Sequence, residues 1–298
     1  MSSLFTNGGT GARVGAIVAV VALTISVGVL AVLALQHGSA FPDESASPTV
    51  PVLPTDGASP TAAPPAETPT PPMPAAEGER FLALQGDQLW RGTAGSCAGA
   101  APVVELSTDG GASWSDVTPA GLELRQLLGV AAFGETDGDL VGAVGNDCEP
   151  AALRTYTAGA DWEIYDELLT SATYVSPSDG RTVVTPTQRI EAPCAQPTSL
   201  RTSRGEVGVV CGGVAYQLDG ADWAELTTGA IAMDAIAGTL VVAHVDESCA
   251  DGAAVTQYEG GDATLLGCFA QVGVNAPAAL SVLDGRVVLW TGDDVFTM

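Results

Sequence analysis

The chain has 298 residues, with 35 acidic side chains against ten arginines and no lysine, for a formal charge of −25. That balance argues against nucleic acid, whose binding rests on cations that neutralise phosphates, and against adhesion to anionic lipid. The acidity serves solubility and would draw cations or a basic protein partner.

Residues 1–13 are polar, and Arg13 is their only charged side chain. Residues 14–35 carry no charge and are built from Gly, Ala, Val, Ile and Leu with two hydroxyl residues. A helix of that length crosses the hydrocarbon core, whereas a secretory signal's apolar stretch stops at about 7–15 residues. Arg13 on one flank, with no further basic residue until Arg80, places the N-terminus in the cytoplasm. The competing reading is a signal peptide cut near Ser39-Ala40. Residues 36–78 form a disordered linker rich in Pro, Thr and Ala: eleven of the nineteen prolines fall in 41–77. It cannot bury enough apolar surface to fold, and its prolines favour an extended chain of ~3.1 Å per residue.

From residue 79 to 298 the composition changes to short β-type runs punctuated by Gly, Asp and Asn. Strands are expected at 81–84, 88–91 and 103–107, then at 126–133, 139–144 and 152–156. Residues 172–175 and 182–185 look like an abbreviated unit. Further strands are expected at 199–202, 207–211 and 214–218, then at 231–236, 240–244, 254–258 and 264–266, and last at 280–283, 286–290 and 295–297. No segment sustains a 3.6-residue period, so helices should be few. The reading is an all-β domain of five or six four-stranded blades, with the two chain ends sharing a blade to close the ring.

One stretch organises that domain: Ser107-Thr108-Asp109-Gly110-Gly111-Ala112-Ser113-Trp114. Asp-Gly-Gly is turn chemistry, since glycine accepts positive φ and the Asp side chain can bond backbone N–H groups just ahead. Trp114 restarts an extended segment, where its large ring must be buried. Gly111-Ala112-Ser113-Trp114 recurs as Gly159-Ala160-Asp161-Trp162 and as Gly220-Ala221-Asp222-Trp223, and a fourth copy has Ala263 in place of Trp. The tryptophan positions lie 48, 61 and 40 residues apart. Periods of roughly 40–50 residues built from short strands mark propeller blades.

The pattern Ser/Thr-x-Asp-x-Gly-x-Ser/Thr-Trp resembles the Asp-box, or BNR repeat, of sialidase-like β-propellers. The first copy matches in full; the second has Thr157 and the third Leu218 at the Asp position. The resemblance covers residues from about 80 to 298 and implies the fold rather than an activity, since such propellers include glycosidases, sugar binders and assembly factors. A sialidase would need an arginine cluster and a Phe/Tyr-Arg-Ile/Leu-Pro signature before the first box. The nearest string, Arg189-Ile190-Glu191, follows two boxes and ends in Glu. The resemblance is therefore to a non-sialidase member.

The six cysteines, Cys97, Cys148, Cys194, Cys211, Cys249 and Cys268, all fall in the domain. Outside the membrane they are expected as disulfides. Sequence does not choose among the possible pairings of six cysteines; Cys194 with Cys211 and Cys249 with Cys268 are favoured because each pair lies within one proposed blade, which leaves Cys97 with Cys148. A zinc site is the rival reading, but there is no Cys-x-x-Cys, and His244 is the domain's only histidine. Neither a metal nor a cofactor is expected.

No catalytic residue stands out. A glycosidase needs two carboxylates ~5–9.5 Å apart, and most of the domain's acids sit beside Gly in apparent turns. Glu135-Thr136-Asp137-Gly138-Asp139 has alternate acids but lacks the rest of a calcium loop, and reads as a hairpin turn. His244 with Asp246 and Glu247 reads as a surface histidine at a strand end. The sequence thus points to a single-pass membrane protein whose extracytoplasmic propeller is a non-catalytic platform for a protein or glycan. A cell-surface glycoside hydrolase is the alternative.

Overall fold

The computed structural model describes residues 78–298. The expected cytoplasmic segment (1–13), transmembrane helix (14–35) and linker up to residue 77 fall on residues outside those described. Among the described residues no helix is long and apolar enough to cross a membrane.

Among the described residues, twenty-two strands form six antiparallel sheets, each running in chain order from its innermost strand outward. Blade 1 comprises β1 (Arg80–Gln85), β2 (Gln88–Thr93), β3 (Val103–Ser107) and β4 (Ser115–Asp116). Blade 2 comprises β5 (Leu124–Phe133), β6 (Asp137–Val144), β7 (Glu149–Thr155) and β8 (Glu163–Ile164). Helix α1 (Asp166–Ser171) leads into blade 3, which has only β9 (Tyr174–Val175), β10 (Thr182–Val184) and β11 (Arg189–Glu191). Blade 4 is β12 (Thr198–Ser203), β13 (Glu206–Cys211), β14 (Val214–Asp219) and β15 (Asp222–Thr228). Blade 5 is β16 (Ala230–Ile236), β17 (Thr239–His244), β18 (Gly252–Glu259) and β19 (Asp262–Ala270). Blade 6 stops at three strands, β20 (Ala278–Leu283), β21 (Arg286–Thr291) and β22 (Asp294–Thr297).

The inner strands line one axis. β1 lies against β5 and β20, β5 against β9, and β16 against β12 and β20. Blades 3 and 4 share a core of Val175, Val183, Leu200, Val207 and Val209. The sheets therefore close into a six-bladed propeller.

Each interblade core follows from the two-residue alternation of its strands, which sends every second apolar side chain to one face. Between blades 1 and 2, Trp90 is fully buried with Leu127, Leu140 and Leu153. Its indole lies on Gly138, where a Cβ would come within 3.2 Å of the ring. Trp162 meets Trp90 edge-on at 5.9 Å and donates its indole N–H to Val117 O, stapling blade 2 to blade 1. Trp223 does the same for blades 4 and 3, donating to Glu191 O at 2.8 Å.

Two expectations are corrected here. Among the described residues, the two ends of the domain do not share a blade. Blade 1 is complete without a borrowed strand, and Met298 exchanges both backbone hydrogen bonds with Val287 of blade 6. The ring instead closes by packing: Leu82, Leu84 and Leu89 of blade 1 against Ala279, Val288 and Trp290 of blade 6. Arg80 lies over the Trp290 ring at 4.2 Å, and Arg286 donates to Gly86 O across the same seam. The abbreviated unit is a genuine blade with a third strand, β11, that periodicity did not announce.

Chain order defines two faces. In the four-stranded blades the hairpins lie on one, and the loops joining second to third strands lie on the other with the blade-to-blade connections; in blade 3 the β10–β11 hairpin lies on the first, where Gln188 bonds Gly220 O of the β14–β15 turn. All three disulfides sit on the second face: Cys97–Cys148, Cys194–Cys211 and Cys249–Cys268, with Cα separations of 6.0, 5.7 and 5.7 Å. The first links the loops of blades 1 and 2, the second ties the blade 3 connection to β13, and the third holds the β17–β18 loop to β19.

Candidate functional site: the axial cavity and its side cleft

The hairpin face carries the Asp-box. Ser107 Oγ accepts from Gly111 N at 2.8 Å and donates to Asp109 Oδ1 at 2.7 Å. Asp109 in turn accepts from the Ser113 backbone N–H at 2.8 Å and the Ser113 hydroxyl at 2.6 Å. These bonds, with Ser113 first and Ser107 next, hold its carboxyl down at about 2. The second turn repeats the arrangement with other atoms: Gly159 N donates to Thr155 Oγ1 at 3.0 Å, and Asp161 N to Thr157 Oγ1 at 2.9 Å. The third and fourth copies are different objects. Asp219 pairs with Asp222, and Glu259 with Asp262, so Gly220-Ala221 and Gly260-Gly261 are two-residue hairpin turns.

Trp114 is only half-buried, because the outer edge of blade 1 is open at its position. Its indole N–H bonds Gly111 O at 3.1 Å, and the Arg91 guanidinium covers the ring at 3.9 Å. Arg91 also faces Trp290 at 5.0 Å and pairs with Glu105 at 2.7 Å, which draws the box turn into the seam between blades 1 and 6.

A polar cluster that no local motif announces lies on the axis. In β12 the register slips between Thr198 and Arg201, the mark of a bulge, and Ser199 takes a positive φ of 48°. The bulge frees the Ser199 N–H from the ladder. Glu79, which immediately precedes β1 on the opposite side of the ring, crosses the axis to accept it at 2.9 Å. Arg201 stands beside Phe81 at 5.6 Å and 3.9 Å from Asp234 Oδ1. Asp234, on β16, accepts from Val282 N of blade 6 at 2.7 Å and from Ala235 N at 2.8 Å. Three charged side chains from three blades thus tie the inner strands of four together.

Burial dominates the electrostatics. Loss of water pushes the Glu79 carboxyl up to about 7 and Asp234 up to about 6, with Arg201 and the backbone N–H groups pulling in the other direction. On the disulfide face, a recess of about 240 Å³ lies between Glu79, Ser199, Ile231 and Pro277. Toward the hairpin face, a cavity of about 420 Å³ has Arg201, Asp234, Asp139 and Ser281 in its wall. A cleft of about 400 Å³ between blades 3 and 4 shares Ser171, Thr173 and Thr202 with that cavity.

The remaining candidates resolve simply. Asp139 binds Arg154 through two hydrogen bonds of 2.6 and 2.7 Å, and Asp137 accepts from Thr136 in the β5–β6 hairpin. His244 corrects the expectation of a surface residue: it is buried, bonded to Thr256 Oγ1 at 2.9 Å, and burial lowers its pKa. Asp246 caps the next turn through Ser248 N. Among the described residues, no three His, Cys, Asp or Glu side chains are grouped to hold a metal.

No known protein family and no curated protein matches the chain. Its likeness is to solved propellers. YCF48 bound to D1 peptide is 17% identical over 73% of this chain and 75% of that one, with a TM-score of 0.40. A Bacteroides ovatus GH43B from a xyloglucan locus is 11% identical over 72% and 48%, with a TM-score of 0.36. Trypanosoma rangeli sialidase is 11% identical over 74% and 43%, with a TM-score of 0.31. At these values none of the three bears on what this chain binds.

Proposed function

We propose that the chain is a membrane-anchored, extracytoplasmic β-propeller that acts as a non-catalytic binding or assembly platform for a protein or glycan. The observation that carries this reading is the commitment of the axial carboxylates. Glu79 and Asp234 are engaged by backbone N–H groups of other blades, and Asp139 by Arg154. Catalytic carboxylates must instead be free to exchange protons with a substrate. The three disulfides support an oxidising compartment, and residues 14–35 have the length of a membrane span.

One observation favours a glycoside hydrolase as the second reading: Asp139 and Asp234 share a cavity, and Asp234 has the raised pKa of a general acid. A single experiment separates the two. Full-length protein would be cross-linked in its native membrane, beside a control lacking residues 79–298, and the purified chain assayed against a panel of glycosides. A stoichiometric partner captured only by the full chain, without turnover, supports the platform. Turnover abolished by Asp234→Asn establishes the hydrolase. Neither capture nor turnover removes the protein platform and the hydrolase and leaves a glycan platform, checked by screening the purified chain for sugar binding.

A further inference from the structure

The side cleft has a wall unlike the rest of this protein. Among the twelve described residues that line it there is no carboxylate, in a chain that carries 35. Its polar surface is made of hydroxyls: Ser171, Thr173, Thr185, Thr187, Thr202 and Ser203. Blade 3 is short here, and the β10–β11 and β12–β13 hairpins stand apart as the two lips.

Two arginines serve this space, both supplied by β12 and its turn. Arg204 is exposed at the rim and makes no ion pair among the described residues. It occupies the first position of a two-residue turn at φ 51°, with Gly205 following at φ 94°. That place favours Gly or Asn. Arg201 lies deeper, in the wall of the connected cavity. Its Nη1 is bonded to Leu200 O, its Nη2 is buried with no partner, and its Nε forms an ion pair with Asp234 at 3.9 Å. The nearest acid on the turn, Glu206, is engaged by Gln217. Arg201 is thus already matched by Asp234, whereas Arg204 has no acidic partner among the described residues and can take a planar anion through two N–H bonds.

The ligand class follows from the rest of the wall. Neither the cavity nor the cleft is lined by an aromatic ring, so neither offers a stacking surface for a sugar. Hydroxyls and the Gln188 amide can instead meet peptide N–H and C=O groups in either direction. We propose that the cleft takes a peptide by a free carboxylate, held by Arg204 at its rim, with the peptide amides on the threonine and serine hydroxyls. This inference rests on the platform reading and names the chemistry of its partner. Because the net charge of −25 repels anions at long range, a ligand with one carboxylate suits the site better than a polyacidic one.

The test is calorimetric titration of the full-length protein at physiological ionic strength with three N-acetylated pentapeptides of Ala, Ser and Thr. One ends in a free carboxylate, one in an amide, and one in an amide with a single internal glutamate. The acid is expected to bind about tenfold or more tightly than the plain amide, and Arg204→Gln to abolish that difference. Thr202→Val should weaken all three peptides, and Arg125→Gln, on the disulfide face, none. If the glutamate peptide matches the acid, the carboxylate comes from a side chain; if it matches the amide, from a C-terminus. Equal binding of acid and plain amide, an unchanged preference in Arg204→Gln, or no binding at millimolar peptide overturns the proposal. Failure here with cross-linked capture intact would remove the cleft and leave the platform.

Discussion

Asp109 and Thr157 hold equivalent places in two turns and solve one problem with different chemistry. Each receives the backbone N–H of the residue four positions on, at 2.8 and 2.9 Å. Asp109→Thr should therefore melt close to the parent protein and Asp109→Ala clearly below it, as read by circular dichroism. The depressed Asp109 pKa makes its contribution full above the ordinary carboxylate range and lost as pH falls toward about 2. Glu79 and Asp234 have the opposite sign. Their folded pKa values lie above the unfolded ones, so their stabilising effect is complete below the unfolded values and fades as pH rises through about 6 and about 7. The melting temperature should rise when pH drops from ~8 to ~5, and Glu79→Gln, which keeps the acceptor for Ser199 N, should flatten the upper part of that rise. A melting temperature that falls over this range would show that the axial carboxylates are not buried. This cluster was not legible in the sequence. Its members stand at 79, 201 and 234, and only the ring brings them together. The available signal was weaker: Arg201 and Asp234 are single charges inside otherwise apolar or neutral inner strands.

At the level of elements, strands were legible where an apolar run met Gly or Asp punctuation, and invisible where burial did not demand one. β11 has one apolar residue of three, and α1 has six residues, too few for a helical period to register. The tryptophans divide by burial, which sequence did not foresee. Trp90→Ala removes a fully buried ring and should cost ~3–5 kcal/mol, whereas Trp114→Ala removes a half-buried one and should cost ~2 kcal/mol. Equal losses in urea titrations would show that the Arg91 stack carries as much as the core. Gly252 marks a different constraint: a Cβ there would stand 1.9 Å from Phe269 O, a backbone atom that cannot step aside. Gly252→Ala should destabilise by about 1–3 kcal/mol through the β18–β19 ladder.

For the whole molecule, the disulfides are unequal in what they constrain. Cys97–Cys148 spans 51 residues and joins two blades, while Cys194–Cys211 spans 17. Loop-closure entropy assigns about 4 kcal/mol to the first and about 3 kcal/mol to the second. The Cys97→Ala/Cys148→Ala pair should accordingly lower the denaturant midpoint more than Cys194→Ala/Cys211→Ala; the reverse order would mean that the blade 3–4 junction, with its missing strand, depends more on covalent support. The ring's closure carries a further consequence. Since no strand crosses the seam between blades 1 and 6, every sheet is hydrogen-bonded from one continuous piece of chain. The order in which the blades are written in a gene is then free to rotate. Joining residue 298 to 78 through a short linker and reopening the chain before residue 124 or 198 would leave every ladder whole. A propeller built this way keeps its shape under cyclic reordering.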